Sequence, residues 1–397
     1  MFARWLKELA MTERDSVNLT ENTSIHWRVG FEIELLAPPG FSRRDLAEVI
    51  AVRAGGQVQR IFYPQSELSA VPGIPVFEKL TLGFDALDAD GALAARCTDD
   101  LTIMVDLDRE KKPKSGWYRI VSDDGRFLRL IMRQCNPNDI KAEVLQPLAE
   151  LFGTELKPDG SPDGGMVKLL DMMGSSIAVA ANLPGERERP CELITPPLDD
   201  RQGEVLADLL KAAQELRFTV PTEAAVHIHF DAARLRNAAA LARLVRLLHR
   251  EAETLKALVG TNPNCSRLGP FPDEVIATLS APSFAALDWP RAQARLAELD
   301  ITKYCDFNLL NMVRDIPDKP TFEVRIFPGT MEPEAILRWA RLFVAILDWA
   351  VSEEGDLPRS DDFYAQLALS AGDRAWLESK THIFDTVNKR QTFTDSA

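Results

Sequence analysis

Three stretches of this sequence alternate apolar and ionisable residues with a period of two. In FEIEL, Glu32 and Glu34 alternate with Phe31, Ile33 and Leu35; in VHIHFD, His227, His229 and Asp231 alternate with Val226, Ile228 and Phe230; in FEVRIF, Glu323 and Arg325 alternate with Phe322, Val324 and Ile326. Side chains two apart in a strand share a face. Each stretch therefore predicts a strand with one apolar face for a core and one face of ionisable groups. A solvated face would carry Lys, Thr and Ser mixed together. Here two of the chain's five histidines stand two apart, between strands bearing Glu-x-Glu and Glu-x-Arg. Carboxylates and imidazoles gathered on one face repel or desolvate one another unless a cation binds them. Oxygen-rich sites with an occasional imidazole suit Mg²⁺ or Mn²⁺, and Arg325 adds a two-pronged donor for a phosphate or carboxylate.

The rest of the chain interleaves helical and strand signals. Ser42 caps a helix through about Val52, stopped by Gly55-Gly56. Residues 57–135 are dense in Pro and Gly, with strand-like runs at 101–107, 117–121 and 126–132, and a helix is expected over 138–152 before the polar loop at 157–165. Strands are expected within 167–183 and at 190–198, helices from Asp200 to about Leu216, over 233–260, about 284–299 and over 333–350. Alternation in the strands, rather than continuous apolar runs, points to an α+β fold with an antiparallel sheet. The expected organisation is an arm at 1–25, a catalytic domain at 26–352 with 57–165 as an elaboration or lid, and a helical tail at 353–397.

Composition narrows the function. Lys and Arg number 46 against 60 Asp and Glu, a formal net charge of −14, which disfavours the positive footprint that nucleic-acid binding needs. No uncharged apolar run approaches the ~18 residues of a membrane span. The five cysteines are widely spaced without a CxxC, which fits a reducing cytoplasm better than a disulfide framework.

Three further features have two readings each. Glu192 lies in the apolar strand PCELITPPL; it is a metal ligand, or it pairs with an arginine of GERER (185–189). Arg187 and Arg189 bind phosphate, or neutralise Glu186 and Glu188. Asn308 and Asn311, ahead of the Glu-x-Arg strand, contact substrate or serve a turn. Cys191 reads as a small buried residue, and His249 and His382 as surface residues on helices.

The order GFEIEL, ELITPPL, VHIHFD, NLLNM and TFEVRIFPGTMEPEAILRW resembles the amidoligase family, carboxylate–amine ligases related to glutamine synthetase and glutamate–cysteine ligase. The resemblance spans about 27–350 and is specific at these motifs. It implies a curved antiparallel sheet of the glutamine synthetase catalytic-domain type, helices packed on its outer face, and ATP with two divalent cations, Mg²⁺ or Mn²⁺, on the concave face. By the same resemblance Glu32, Glu34, Glu192, His227 and Glu323 are metal ligands, while His229, Arg325 and Asn308 face the nucleotide. Arg325, Glu323 and an acidic residue from an Asp-Gly-Ser-like strand serve catalysis. Asp171 in DMMGSS is the nearest match by spacing for that residue; Asp124, with Trp117 in WYRIVSDDG, is the rival. The implied reaction joins a small-molecule or peptide carboxylate to an amine through an acyl phosphate. Two other readings stand beside it: a metal-dependent hydrolase using His227, His229 and the carboxylates, and a non-catalytic binding module on the same fold.

Overall fold

All three alternating segments form strands: β1 (Val29–Leu36), β10 (Ala225–Asp231) and β12 (Thr321–Pro328). The computed structural model describes residues 25–68, 76–160, 165–265, 267–316, 319–352 and 357–380. The expected arm, apart from Ile25, and His382 lie outside the described residues. The chain divides into two units. The first takes Glu34–Pro196 and Lys211–Thr222; the second takes the described residues before Glu34, with Pro197–Leu210 and those from Glu223 onward. The divisions pass through β1 and through α4 (Gln202–Glu215).

In the second unit β11 (Phe307–Asn308), β12, β10 and β1 lie side by side in that order, every pair antiparallel. Their apolar faces pack on helices. Phe230, Phe307 and Phe327 all meet the ring of Phe343 on α10 (Pro333–Ser352), and Phe327 also stacks on Trp339. A bulge marks the β10–β12 pair: Val226 is opposite Phe327 and Ile228 opposite Val324, so Arg325 and Ile326 together face His227. The extra residue shifts the alternation by one, which brings Phe327 onto the helix side while Glu323 and Arg325 keep to the other.

Helix α5 (Ala238–Val259) packs against α10. Asn237 starts it by accepting the Ala240 N–H, and Gly260, at φ +74°, ends it in the left-handed region where glycine has no Cβ penalty. The connection onward runs through α6 (Asp273–Ser280), α7 (Pro282–Ala285), α8 (Trp289–Ala297) and α9 (Leu310–Val313). Helices α11 (Ser360–Gln366) and α12 (Ala371–Glu378) are bonded into this unit. Ser360 and Tyr364 donate to the buried Glu251, and Arg341 of α10 makes a two-pronged pair with Asp373 at 2.7 and 2.8 Å.

The first unit holds the long insertion. Its strands run in the order β9 (Pro190–Ile194), β4 (Leu93–Thr98), β3 (Val76–Leu87), β5 (Tyr118–Val121), β8 (Ser176–Asn182), β7 (Met166–Leu170) and β6 (Leu156–Pro158), again antiparallel, and β2 (Val58–Leu68) pairs along β3. Helix α1 (Arg43–Arg53) starts where the Asp45 carboxylate accepts both the backbone N–H and the hydroxyl of Ser42, and it packs on β3 and β4. Antiparallel pairing and segregated helices make this an α+β protein. No helix among the described residues is long and apolar enough to cross a membrane.

Four sequence expectations need correction. Residues 126–132 form part of α2 (Gly125–Gln134), not a strand: Asp124 caps it by accepting the Arg126 N–H, and Leu128 and Ile131, three apart, are the buried pair. Residues 101–107 form turns. Asp100 accepts the Thr102 N–H and hydroxyl, and Arg187 donates to the carbonyls of Asp100 and Ile103, so side chains occupy backbone groups a strand would offer a neighbour. The helix expected at 138–152 is confined to α3 (Gln146–Phe152), because Pro147 lacks an N–H and is tolerated only in a first turn. The helix expected at 284–299 is two pieces, α7 and α8, the second begun by the Asp288 cap and Pro290.

Candidate metal centre

Strand register sets the partners. Across β1 and β10, Glu32 is opposite His227; across β10 and β12, His229 is opposite Glu323; across β11 and β12, Asn308 is opposite Glu323. These residues and Arg325 are each 8% exposed or less. His227 Nδ1 is 3.3 Å from Glu32 Oε2 and 3.7 Å from Glu323 Oε1. His229 Nε2 is 3.1 Å from Glu32 Oε1 and 3.8 Å from Glu323 Oε1, yet makes no hydrogen bond among the described residues. Arg325 donates to Glu323 Oε1 at 2.7 Å, Asn308 donates to Glu323 Oε2 at 2.6 Å, and the Lys319 ammonium is 2.7 Å from Glu32 Oε1.

The charges are finely matched. Burial pushes the Glu32 carboxyl up, but Lys319 and His229 outweigh it and hold the group well below the usual carboxylate range. Burial likewise opposes ionisation of Glu323, and Arg325 and His229 bring it down to about 2. Burial, helped by the Arg325 charge, lowers His227 and favours its neutral ring. His229 Nδ1 is 3.0 Å from the Thr321 hydroxyl. When that nitrogen carries the proton and donates it, Nε2 presents a lone pair toward the carboxylates, the tautomer of a metal-ligating histidine.

A divalent cation fits this donor set. Glu32, His229 and Glu323 each offer a ligand atom, all within 4.8 Å of one another. Neighbouring ligands around an ion at ~2.1 Å stand about 3 Å apart, close to the 3.1 Å between Glu32 Oε1 and His229 Nε2. A family model described as "Putative amidoligase enzyme" matches residues 26–347. The chain belongs to the amidoligase family. No curated protein matches the sequence.

In this amidoligase the second unit thus brings together Glu32, His227, His229, Asn308, Glu323 and Arg325. Asn308 serves the turn read from the sequence, its Oδ1 accepting the Leu310 N–H, while its amide nitrogen donates to Glu323. Asn311 donates to Thr321 at 3.4 Å. Glu34, Glu192 and Asp171 belong to the first unit. Glu34 is buried, and Glu192 Oε2 is 3.4 Å from the Thr98 hydroxyl. Asp171 accepts the N–H groups of Met173 and Ser175 in the β7–β8 turn, as Asp124 does for α2. Arg187 pairs with Asp99, and Arg189 with Glu186. Cys191 is fully buried, and burial, reinforced by Cys97, pushes its thiol well up, the opposite of a nucleophile. His249 is exposed on α5.

Lys319 is a site residue that the motifs left out, and Thr321 stood in the TFEVRIF motif without a role. The signal was present: the period of two that joins Glu323 to Arg325 also runs backward through Thr321 and Lys319. Pro320 hid it, because a proline reads as the end of a strand pattern.

Proposed function

We propose that this amidoligase is an ATP- and divalent-cation-dependent carboxylate–amine ligase acting on small-molecule or peptide substrates. The observation that carries this reading is the buried set Glu32, His229 and Glu323 with ligand atoms within 4.8 Å, beside the guanidinium of Arg325. A carboxylate is a poor acyl donor because its leaving group would be oxide. In the proposed reaction a substrate carboxylate oxygen attacks the γ-phosphorus of ATP, the bond to the β–γ bridging oxygen breaks, and ADP leaves. The amine nitrogen then attacks the acyl carbon of the resulting acyl phosphate, loses a proton and expels phosphate. Divalent cations bound at the site would neutralise charge on the phosphates.

The protein's own part is placement and charge. Glu32, Glu323 and His229 hold the cation, with His227 against Glu32. Thr321 orients His229, and Asn308 fixes one oxygen of Glu323 so that the other points toward His229 and Arg325. Arg325 supplies planar donors for the transferring group. The antiparallel strands of the second unit, with helices on one face and these groups on the other, support a sheet of the glutamine synthetase type. The family resemblance gives Glu34, Glu192 and His227 metal-binding roles as well, His229 a place facing the nucleotide, and Asp171 a catalytic role, each tested by single substitution.

The test is interception. With ATP, Mg²⁺ and the correct acid, hydroxylamine gives a hydroxamate with one ADP per product. Hydrolysis of a substrate by metal without ATP would establish the hydrolase in place of the ligase. ADP formed with no hydroxamate from any acid would place the phosphoryl group on a nitrogen instead.

A further inference from the structure

Lys319 Nζ is 2.7 Å from Oε1 of Glu32, and that same oxygen is the one 3.1 Å from His229 Nε2. Its backbone is anchored: the Lys319 N–H donates to the Ile316 carbonyl at 3.1 Å, and its carbonyl accepts the Thr321 N–H at 2.8 Å. Pro320 fixes φ at the next residue. The stem therefore begins from a set place, and the side chain sits at the rim, 42% exposed against 7% for Glu32. A carboxylate oxygen at full contact with an ammonium cannot also serve a divalent cation at ~2.1 Å without forcing two positive charges together. Arg325 is already committed to the other carboxylate, Glu323.

We propose that Lys319 is a resident counter-ion that competes with the divalent cation for Glu32, and that this competition couples metal loading to the nucleotide. The inference rests on the metal-dependent ligase reading above. Without metal, Lys319 stays against Glu32 Oε1 and holds it in place. For the metal to bind, the ammonium must leave Oε1, and from its anchored stem it stays at the rim, where a phosphate oxygen arriving with the metal is its natural partner. Metal alone binds weakly; metal with polyphosphate binds well.

Mn²⁺ binding, read by the loss of the free-ion electron paramagnetic resonance signal, tests this with no need for turnover. The titration uses wild type, Lys319→Met, Lys319→Arg and Glu323→Gln, each with and without a non-hydrolysable ATP analogue. The ammonium is at the rim, so Lys319→Met should fold, which its melting temperature checks. The expected result is Mn²⁺ affinity raised tenfold or more in Lys319→Met without nucleotide, and near wild type in Lys319→Arg. The tightening that the analogue brings in wild type should shrink at least threefold in Lys319→Met. Mn²⁺ binding that Glu323→Gln abolishes but Lys319→Met leaves unchanged or weaker overturns the role of Lys319 alone. No Mn²⁺ binding by any variant, or binding indifferent to Glu323→Gln, overturns the metal site itself.

Discussion

Glu323 is the residue on which the site turns. It takes hydrogen bonds from Asn308 and Arg325 and stands within 4 Å of both histidines. Its carboxyl, held at about 2 by Arg325 and His229 against the effect of burial, stays ionised throughout the range in which enzymes work. The folded value lies below the ordinary glutamate value, so this carboxylate stabilises the fold above about pH 4.3, and the contribution fades as pH falls toward the folded value. Arg325 is the partner whose geometry matters most. Arg325→Lys keeps the charge but loses the planar fork. It is expected to lower kcat by the equivalent of about 2–4 kcal/mol of barrier, the usual loss for one transition-state donor, with little change in melting temperature. A shift in melting temperature without a change in kcat would reduce Arg325 to a structural ion pair.

At the scale of elements, capping and pairing decide where helices begin and how they stay docked. Asn237→Ala removes the acceptor for the Ala240 N–H at the start of α5 and should cost about 1 kcal/mol in denaturant unfolding. No loss would mean that packing of α5 on α10 sets the helix start unaided. Asp373 on α12 holds the buried Arg341 of α10, and despite burial the Arg341 and Ser370 hydrogen bonds lower its pKa. A depressed carboxylate contributes stability above its unfolded value of about 3.9 and loses it as pH falls below that. The stability gap between wild type and Asp373→Asn should therefore be full at pH 7 and close in acid; a gap independent of pH would show that the charge is not what docks α12. The elements legible in the sequence were those whose pattern was long or whose punctuation was strong, such as β1, β10, β12, and α5 with its Gly260 stop. Residues 101–107 misled because their backbone groups are bound by Asp100 and Arg187, the latter about 85 positions away, which no local window can register. Residues 126–132 misled because a short apolar run suits either period, and the Asp124 cap decides it.

At the scale of the whole molecule, the family match runs from residue 26 to 347 and takes in parts of both units, the β-rich insertion included. The motif residues that carry ionisable faces could be named from alternation alone, because a period of two is a property of the strand. What alternation could not supply was register. Only the pairing of Glu32 with His227 and of His229 with Glu323 turns separate polar faces into one donor set. Nor could it supply Lys319, whose contact with Glu32 joins positions nearly three hundred residues apart. The most direct test of a metal-dependent nucleotide site is a calorimetric titration of a non-hydrolysable ATP analogue into wild type and Glu323→Gln, each with Mg²⁺ and with EDTA. Binding should be saturable in Mg²⁺, absent in EDTA, and at least tenfold weaker in Glu323→Gln. Binding of equal strength in EDTA, or none by the folded wild-type protein in Mg²⁺, would contradict it.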